Sequence, residues 1–393
     1  MAKMNLNENI VSFHDEMTAW RRDLHRHPET AFEEYRTADI VAEKLESFGL
    51  EVHRGLAKTG VVGALHAGGG NRAIGLRADM DALHIHELNE FEHRSVNDGK
   101  MHACGHDGHT TMLLGAAKHL AEARDFDGTV YFIFQPAEEN EAGGKVMVDD
   151  GLFEKFAVES VYGMHNFPGI EVGQFAVRTG PQMASADFFT CEIKGVGGHG
   201  AFPDRARDPV VAGAEMVMAF QNIVSRRLNP LEPAVISVTQ FHAGHTGNVI
   251  PETALLNGTV RAFNTKVQDQ IETAMREIAA GICASHGIEM DFRYERKYPP
   301  TINTADETKI AARAAAAIVG EANVNTELEP VMGSEDFGWM LLEKPGSYIL
   351  VGNGTSGPSG CMVHNPTYDF NDEILPIGAS YWVALVHELL PAN

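Results

Sequence analysis

Cysteine is scarce in this chain: four in 393 residues, at positions 104, 191, 283 and 361. So few thiols in a chain of this length do not make a disulfide framework, and a reducing cytoplasm is the expected compartment. No apolar run reaches the roughly 18 residues a transmembrane helix needs. The segment Met1 to Trp20 has mixed charge and lacks the apolar stretch of a secretory leader, so none is expected. Positive charge is in deficit, with 31 Lys and Arg against 54 Asp and Glu and a formal net charge of −23. Such a surface repels phosphate backbones and anionic lipid, which argues against nucleic acid and membranes as partners. Two motifs are also missing. Without G-x-S-x-G or G-x-x-x-x-G-K-[ST], a serine-hydrolase or P-loop reading has no anchor.

What is present is an ordinary globular composition, 44% hydrophobic and 22% charged. A length of 393 residues exceeds what one core usually serves, so two domains are expected. Helical patterns cover the first 50 residues, at 20–27 and 37–48. Short apolar runs flanked by glycine follow at 61–65, 74–78, 130–134 and 161–164, with a helical pattern at 110–123 among them. Strands alternating with helices predict an α/β domain with a largely parallel, buried sheet. Near Gly180-Pro181 the rhythm changes to strand (188–194), helix (209–228), strand (234–242), strand (254–263), helix (267–285), strand (289–298). That is the βαββαβ order of a ferredoxin-like satellite domain. The α/β rhythm then returns, with helices at 308–320, 336–342 and 376–390 and a strand at 348–351. The expected architecture is a catalytic α/β domain from residues 1–180 and 296–393, interrupted by an inserted satellite over 181–295.

Five polar clusters fall at the ends of predicted strands, where open α/β sheets gather ligands. They are Asp79-Met80-Asp81, the run His102 to Asp107, Glu138-Glu139, His165-Asn166 and His364-Asn365. Cys104 and His106 stand two apart, and in an extended segment they would share one side. Alone they could be a buried thiol and a surface imidazole, but four His or Cys lie within 102–109. In Glu138-Glu139 the neighbouring side chains diverge, so one carboxylate can bind a metal while the other works as a base on water. Together these clusters offer one thiolate, three imidazoles and a carboxylate, with a second carboxylate beside them. That supply suits two divalent ions rather than one. Asp81 and Asp107 are expected to hold imidazoles in the right tautomer. The G-x-G-x-x-G run over 195–200 is a decoy, because Ala201-Phe202-Pro203-Asp204 does not open the helix that would bind pyrophosphate.

The chain resembles the metallopeptidase family of carboxypeptidase G and aminoacylases, in its amidohydrolase branch. Nine landmarks in order carry the resemblance. They begin with Arg22 to Glu29, Leu76 to Leu83, Met101 to His109 and Gln135 to Glu139, followed by Gly163 to Asn166 and Gly197 to Ala201. Asn248 to Pro251, Gly333 to Phe337 and His364 to Pro366 complete the set. The resemblance implies hydrolysis of the amide bond of N-acyl amino acids such as hippurate, with a dipeptidase or aminopeptidase on the same site as the alternative. It implies Cys104, His106, Glu139, His165 and His364 as ligands of two divalent metal ions, with manganese or zinc first and cobalt or nickel also compatible. Asp79 stands where the wider family usually has a metal-binding histidine. By the same resemblance Glu138 is the general base, His199 serves the developing oxyanion, and Asn248 and Arg261 bind substrate, Arg261 by its carboxylate. The satellite would join subunits into a homodimer or homotetramer.

Overall fold

The computed structural model describes residues 4–392, which divide into two compact units. The first unit gathers the described residues up to Gln182, then Ile302–Glu329 and those from Asp336 on. The second consists of Met183–Thr301 and Pro330–Glu335.

The first unit is built on an eight-stranded sheet. Its strands, in chain order, are β1 (Glu51–Leu56), β2 (Gly60–Ala67), β3 (Ala73–Asp79), β4 (Gly128–Gln135), β5 (Ser160–Pro168), β6 (Phe175–Ala176), β7 (Val324–Asn325) and β8 (Gly346–Gly354). They lie in the order β1-β2-β4-β3-β5-β8-β6-β7. The four central strands, β4, β3, β5 and β8, run parallel. Every residue of β3 and β8 is buried. Strands covered on both faces need such near-continuous apolar runs. Pairing at β1–β2, β2–β4 and β8–β6 is antiparallel. The sequence does not mark β1, whose pattern is mostly exposed.

Helices His106–Ala123 and Leu375–Leu389 pack on each other and on the sheet core, where Leu76, Phe132, Leu113, Leu120 and Trp382 meet. The first of these helices begins four residues before the pattern at 110–123 suggests. Gly105 precedes it in the left-handed region, with φ +103, and a Cβ there would lie 2.1 Å from Asn166 Oδ1. Residues 104–106 are therefore a turn into a helix, not the extended segment expected.

In the second unit, strands Ala186–Lys194, Ala234–Ala243, Thr253–Ala262 and Glu289–Tyr298 form an antiparallel sheet. The strand Ala186–Lys194 lies between Thr253–Ala262 and Glu289–Tyr298, and Ala234–Ala243 is an edge. Helices Pro209–Asn222 and Thr265–His286 complete the βαββαβ order. Asp208 caps the first by accepting from the amides of Val210 and Val211, and a π-helical turn, Ile223–Arg227, replaces its expected end. Phe189, Cys191, Phe220, Ile271, Met275 and Cys283 form a separate core. No helix of the described residues is long and apolar enough to cross a membrane.

Candidate active site

Parallel pairing sends the carboxyl ends of β3, β4 and β5 to one edge of the sheet. Asp79 closes β3 in register with Gln135 at the end of β4, and Glu138-Glu139 follow three residues on. His165 lies within β5, opposite Leu350 of β8. His364 sits in the loop after β8, where its amide donates to the carbonyl of Ala103 at 2.7 Å. This bond fixes the loop beside Cys104.

The donor atoms of Cys104, His106 and His165 lie within 4.8 Å of one another, and Cys104 Sγ is 3.4 Å from His165 Nε2. Cys104, Glu139 and His364 make a second such group, and His106, Glu138 and Glu139 a third. The structure thus brings together all five expected ligands and the expected base. His106 Nδ1 donates to the Asp81 carbonyl at 2.9 Å, and His165 Nδ1 donates to the Asn166 carbonyl at 2.5 Å. A carbonyl only accepts, so each Nδ1 carries a proton, and Nε2 is the nitrogen left to bind a metal in the neutral ring. His106 Nε2 is buried without any hydrogen bond.

Asp81 does more than hold His106. Its Oδ1 accepts from the amide of Glu138 at 3.0 Å and its Oδ2 from that of Glu139 at 2.9 Å. Glu139 Oε1 lies 3.0 Å from His364 Nε2. The amide of Asp336 donates to Glu138 Oε1 at 3.3 Å.

The electrostatics call for added positive charge. Burial opposes a charged His106, yet Asp79 and Asp81 outweigh it and push its pKa up to about 10. Burial, followed by Glu139, Glu138 and Asp79, drives the Cys104 thiol well above its usual range. Burial and the neighbouring His109 hold His165 neutral. A divalent cation reverses this balance, since it takes the proton's place on an imidazole and deprotonates a thiol outright. The donor set of thiol, imidazole nitrogens and carboxylate therefore fits a metal centre.

The model of peptidase family M20/M25/M40 matches residues 75–388. The chain belongs to this family. It is 40% identical over 387 residues to the hippurate hydrolase of Campylobacter jejuni, spanning 98% of this chain and 100% of that protein. It is 37% identical over 377 residues to the N-acetylcysteine deacetylase of Bacillus subtilis, spanning 95% and 97% respectively. Among solved structures, the Bacillus subtilis YXEP protein, a dinuclear metal binding peptidase from the M20 family, superposes with a TM-score of 0.84. It is 33% identical, and the match covers 98% of this chain and 100% of that one.

Within this M20 chain, one expected catalytic residue, His199, and both expected substrate-binding residues, Asn248 and Arg261, belong to the second unit. His199 pairs with Val249 in a two-residue ladder, and the amide of Gly200 donates to the carbonyl of Asn248 at 2.8 Å. The decoy run over 195–200 thus ends in a two-residue antiparallel ladder, followed by a three-residue 3-10 turn, Pro203–Arg205, rather than a helix. His199 Nδ1 accepts from the amide of Ala201 at 3.1 Å, which leaves the ring proton on Nε2. Arg261, half-buried on Thr253–Ala262, bonds Thr259 and the Val260 carbonyl and has no ion pair among the described residues.

Several site residues had no sequence signal, or a misread one. Asp107 turns from His106 and His165 to His25, with Oδ2 2.9 Å from His25 Nδ1. Asp79 binds His109 Nδ1 at 2.6 Å and Arg77 NH1 at 2.6 Å. Arg77 also reaches Gln135 at 2.8 Å and Asp336 at 2.9 Å, all of it buried. A lone arginine inside an otherwise apolar strand was its only clue. Glu34 gave none, because Glu33-Glu34 reads as a solvated acidic pair.

Proposed function

We infer that this chain hydrolyses the amide bond of N-acyl amino acids, releasing a carboxylic acid and a free amino acid. The observation that carries the reading is the convergence of Cys104, His106, Glu139, His165 and His364 with Glu138 beside them. The names of the hippurate hydrolase and N-acetylcysteine deacetylase relatives point to the same bond.

Cys104, His106 and His165 would hold one divalent ion, and Cys104, Glu139 and His364 the other. Bound there, the pair supplies Lewis acidity and makes water a stronger acid. Manganese or zinc suits this mixture of thiolate, imidazole and carboxylate; cobalt and nickel also fit it. Glu138 takes the proton from the attacking water and returns it to the amine nitrogen as the C–N bond breaks. From the second unit, His199 donates its Nε2 proton to the developing oxyanion and Asn248 contributes to substrate binding. Arg261 pairs with the substrate carboxylate, a role supported by its having no close ion pair among the described residues.

Two further expectations belong to this reading. The chain forms a homodimer or homotetramer through the second unit, supported by the edge strand Ala234–Ala243, which has one pairing neighbour among the described residues. It works in the cytoplasm, supported by four free thiols.

The test is a panel of hippurate, N-acetyl amino acids and dipeptides with a free amine, assayed by amine release with added manganese. Turnover of the N-acylated compounds is expected. Turnover confined to the free-amine substrates would make the enzyme a dipeptidase or aminopeptidase instead.

A further inference from the structure

Three consecutive amides at the turn bearing Glu138 and Glu139 end on buried carboxylates from distant parts of the chain. Those of Glu138 and Glu139 donate to Asp81. The preceding one, of Ala137, donates to Glu34 Oε1 at 3.0 Å. Ala137 is left-handed, with φ 55, a conformation that costs a residue bearing a Cβ about 1–2 kcal/mol. Such a residue persists only where its surroundings hold it.

Glu34 is fully buried and ties two more segments to this turn. Its Oε1 also accepts from the amide of Phe32 at 3.0 Å, and its Oε2 from the Thr59 hydroxyl at 2.7 Å. Phe32 (φ 59) and Lys58 (φ 67) are left-handed too. Both line a cavity of about 460 Å³ whose wall includes Glu141. One carboxylate thus joins the left-handed backbone at 32 and 137 and, through the Thr59 hydroxyl, the segment that follows Lys58.

We propose that Glu34 is a positioning residue for the amide hydrolysis: by holding Ala137 left-handed it sets where Glu138 and Glu139 present their carboxylates. The proposal rests on the reading of Glu138 as general base. Reach matters here more than charge. A glutamine keeps an oxygen for both amides, and its NH₂ can donate to the Thr59 hydroxyl. An aspartate keeps the charge but is one methylene short.

The experiment uses the full-length, manganese-loaded enzyme with hippurate, reading kcat and KM separately and metal content by mass spectrometry. Glu34→Ala is expected to lower kcat per metal-loaded enzyme roughly ten- to a hundredfold, as misplacement of a catalytic group by about 1 Å does, with KM nearly unchanged. Glu34→Gln is expected to keep most of the wild-type kcat, and Glu34→Asp to lose it. Adding Ala137→Gly to Glu34→Ala is expected to recover part of kcat, because glycine adopts positive φ at no steric cost. A merely structural role would not produce that recovery. Wild-type kcat in Glu34→Ala would overturn the proposal. Should Glu34→Ala not fold, Glu34→Asp outperforming Glu34→Gln would overturn it equally. Glu138→Ala separates the two readings. Full turnover there sinks the general base itself, whereas an inactive Glu138→Ala beside a fully active Glu34→Ala sinks only the role of Glu34.

Discussion

His106 donates its Nδ1 proton to the carbonyl oxygen of Asp81 at 2.9 Å, and this bond decides what the other ring nitrogen can do. Nε2 is left buried with no hydrogen bond, the nitrogen at which a cation would replace a proton, in a group of donors that also includes Cys104 and His165. The carboxylate of the same Asp81 fixes the amides of Glu138 and Glu139. One residue therefore sets both an imidazole tautomer and the backbone of the Glu138-Glu139 turn.

Asp81→Asn keeps the shape but puts an NH₂ where one of those donors needs an acceptor. Metal affinity or turnover is expected to fall roughly 10- to 100-fold, the usual cost of losing a partner that orients ligands. Titration of the metal-free protein with manganese checks it, and wild-type affinity together with wild-type turnover would contradict the role.

Glu138→Ala should reduce kcat by about 10²- to 10⁴-fold, the range typical of a lost general base. Metal content should be unchanged. Turnover at the wild-type rate would exclude Glu138 as the base.

Cys104→Ser replaces a thiol common to two donor groups with a weak hydroxyl ligand. Bound metal is expected to fall, or the preference to move from softer to harder cations. Elemental analysis after dialysis against zinc and manganese separates these from the contrary result, unaltered stoichiometry and affinity for both metals.

A pH effect is expected from His25. Its two ring nitrogens face Asp107 at 2.9 Å and Glu87 at 3.1 Å, and carboxylates only accept, so the ring carries both protons. Burial works against that charge, but the two hydrogen bonds outweigh it and push the pKa up to about 9. The folded pKa thus lies above the unfolded one. The stabilisation is full below about pH 6.5 and is lost as pH rises through about 9, on the order of 3 kcal/mol in all. His25→Gln should lower Tm by several degrees at pH 6 and by far less at pH 9.5. The same deficit at both values would refute the account.

The sequence by itself determined the chemistry on offer and the order of the elements. Apolar runs at 74–78, 130–134, 161–164 and 348–351 marked the four central strands because such strands are covered on both faces and so are mostly apolar. The βαββαβ order of the second unit was legible for a similar reason, since helical and strand periodicities differ along the chain. Cys104, His106, Glu138 and Glu139 stood out because polar groups clustered in sequence leave a local pattern. Only the tertiary structure decided which groups meet across long separations. Glu34 reaches Ala137 and Arg77 reaches Asp336 because of where the strands and the loops that follow them pack. It also turned Asp107 toward His25 and made 104–106 a helix entry rather than a strand. A hydrogen bond between residues a hundred or more positions apart leaves no periodicity in the chain. Its partners become visible only once packing has brought them within three ångströms.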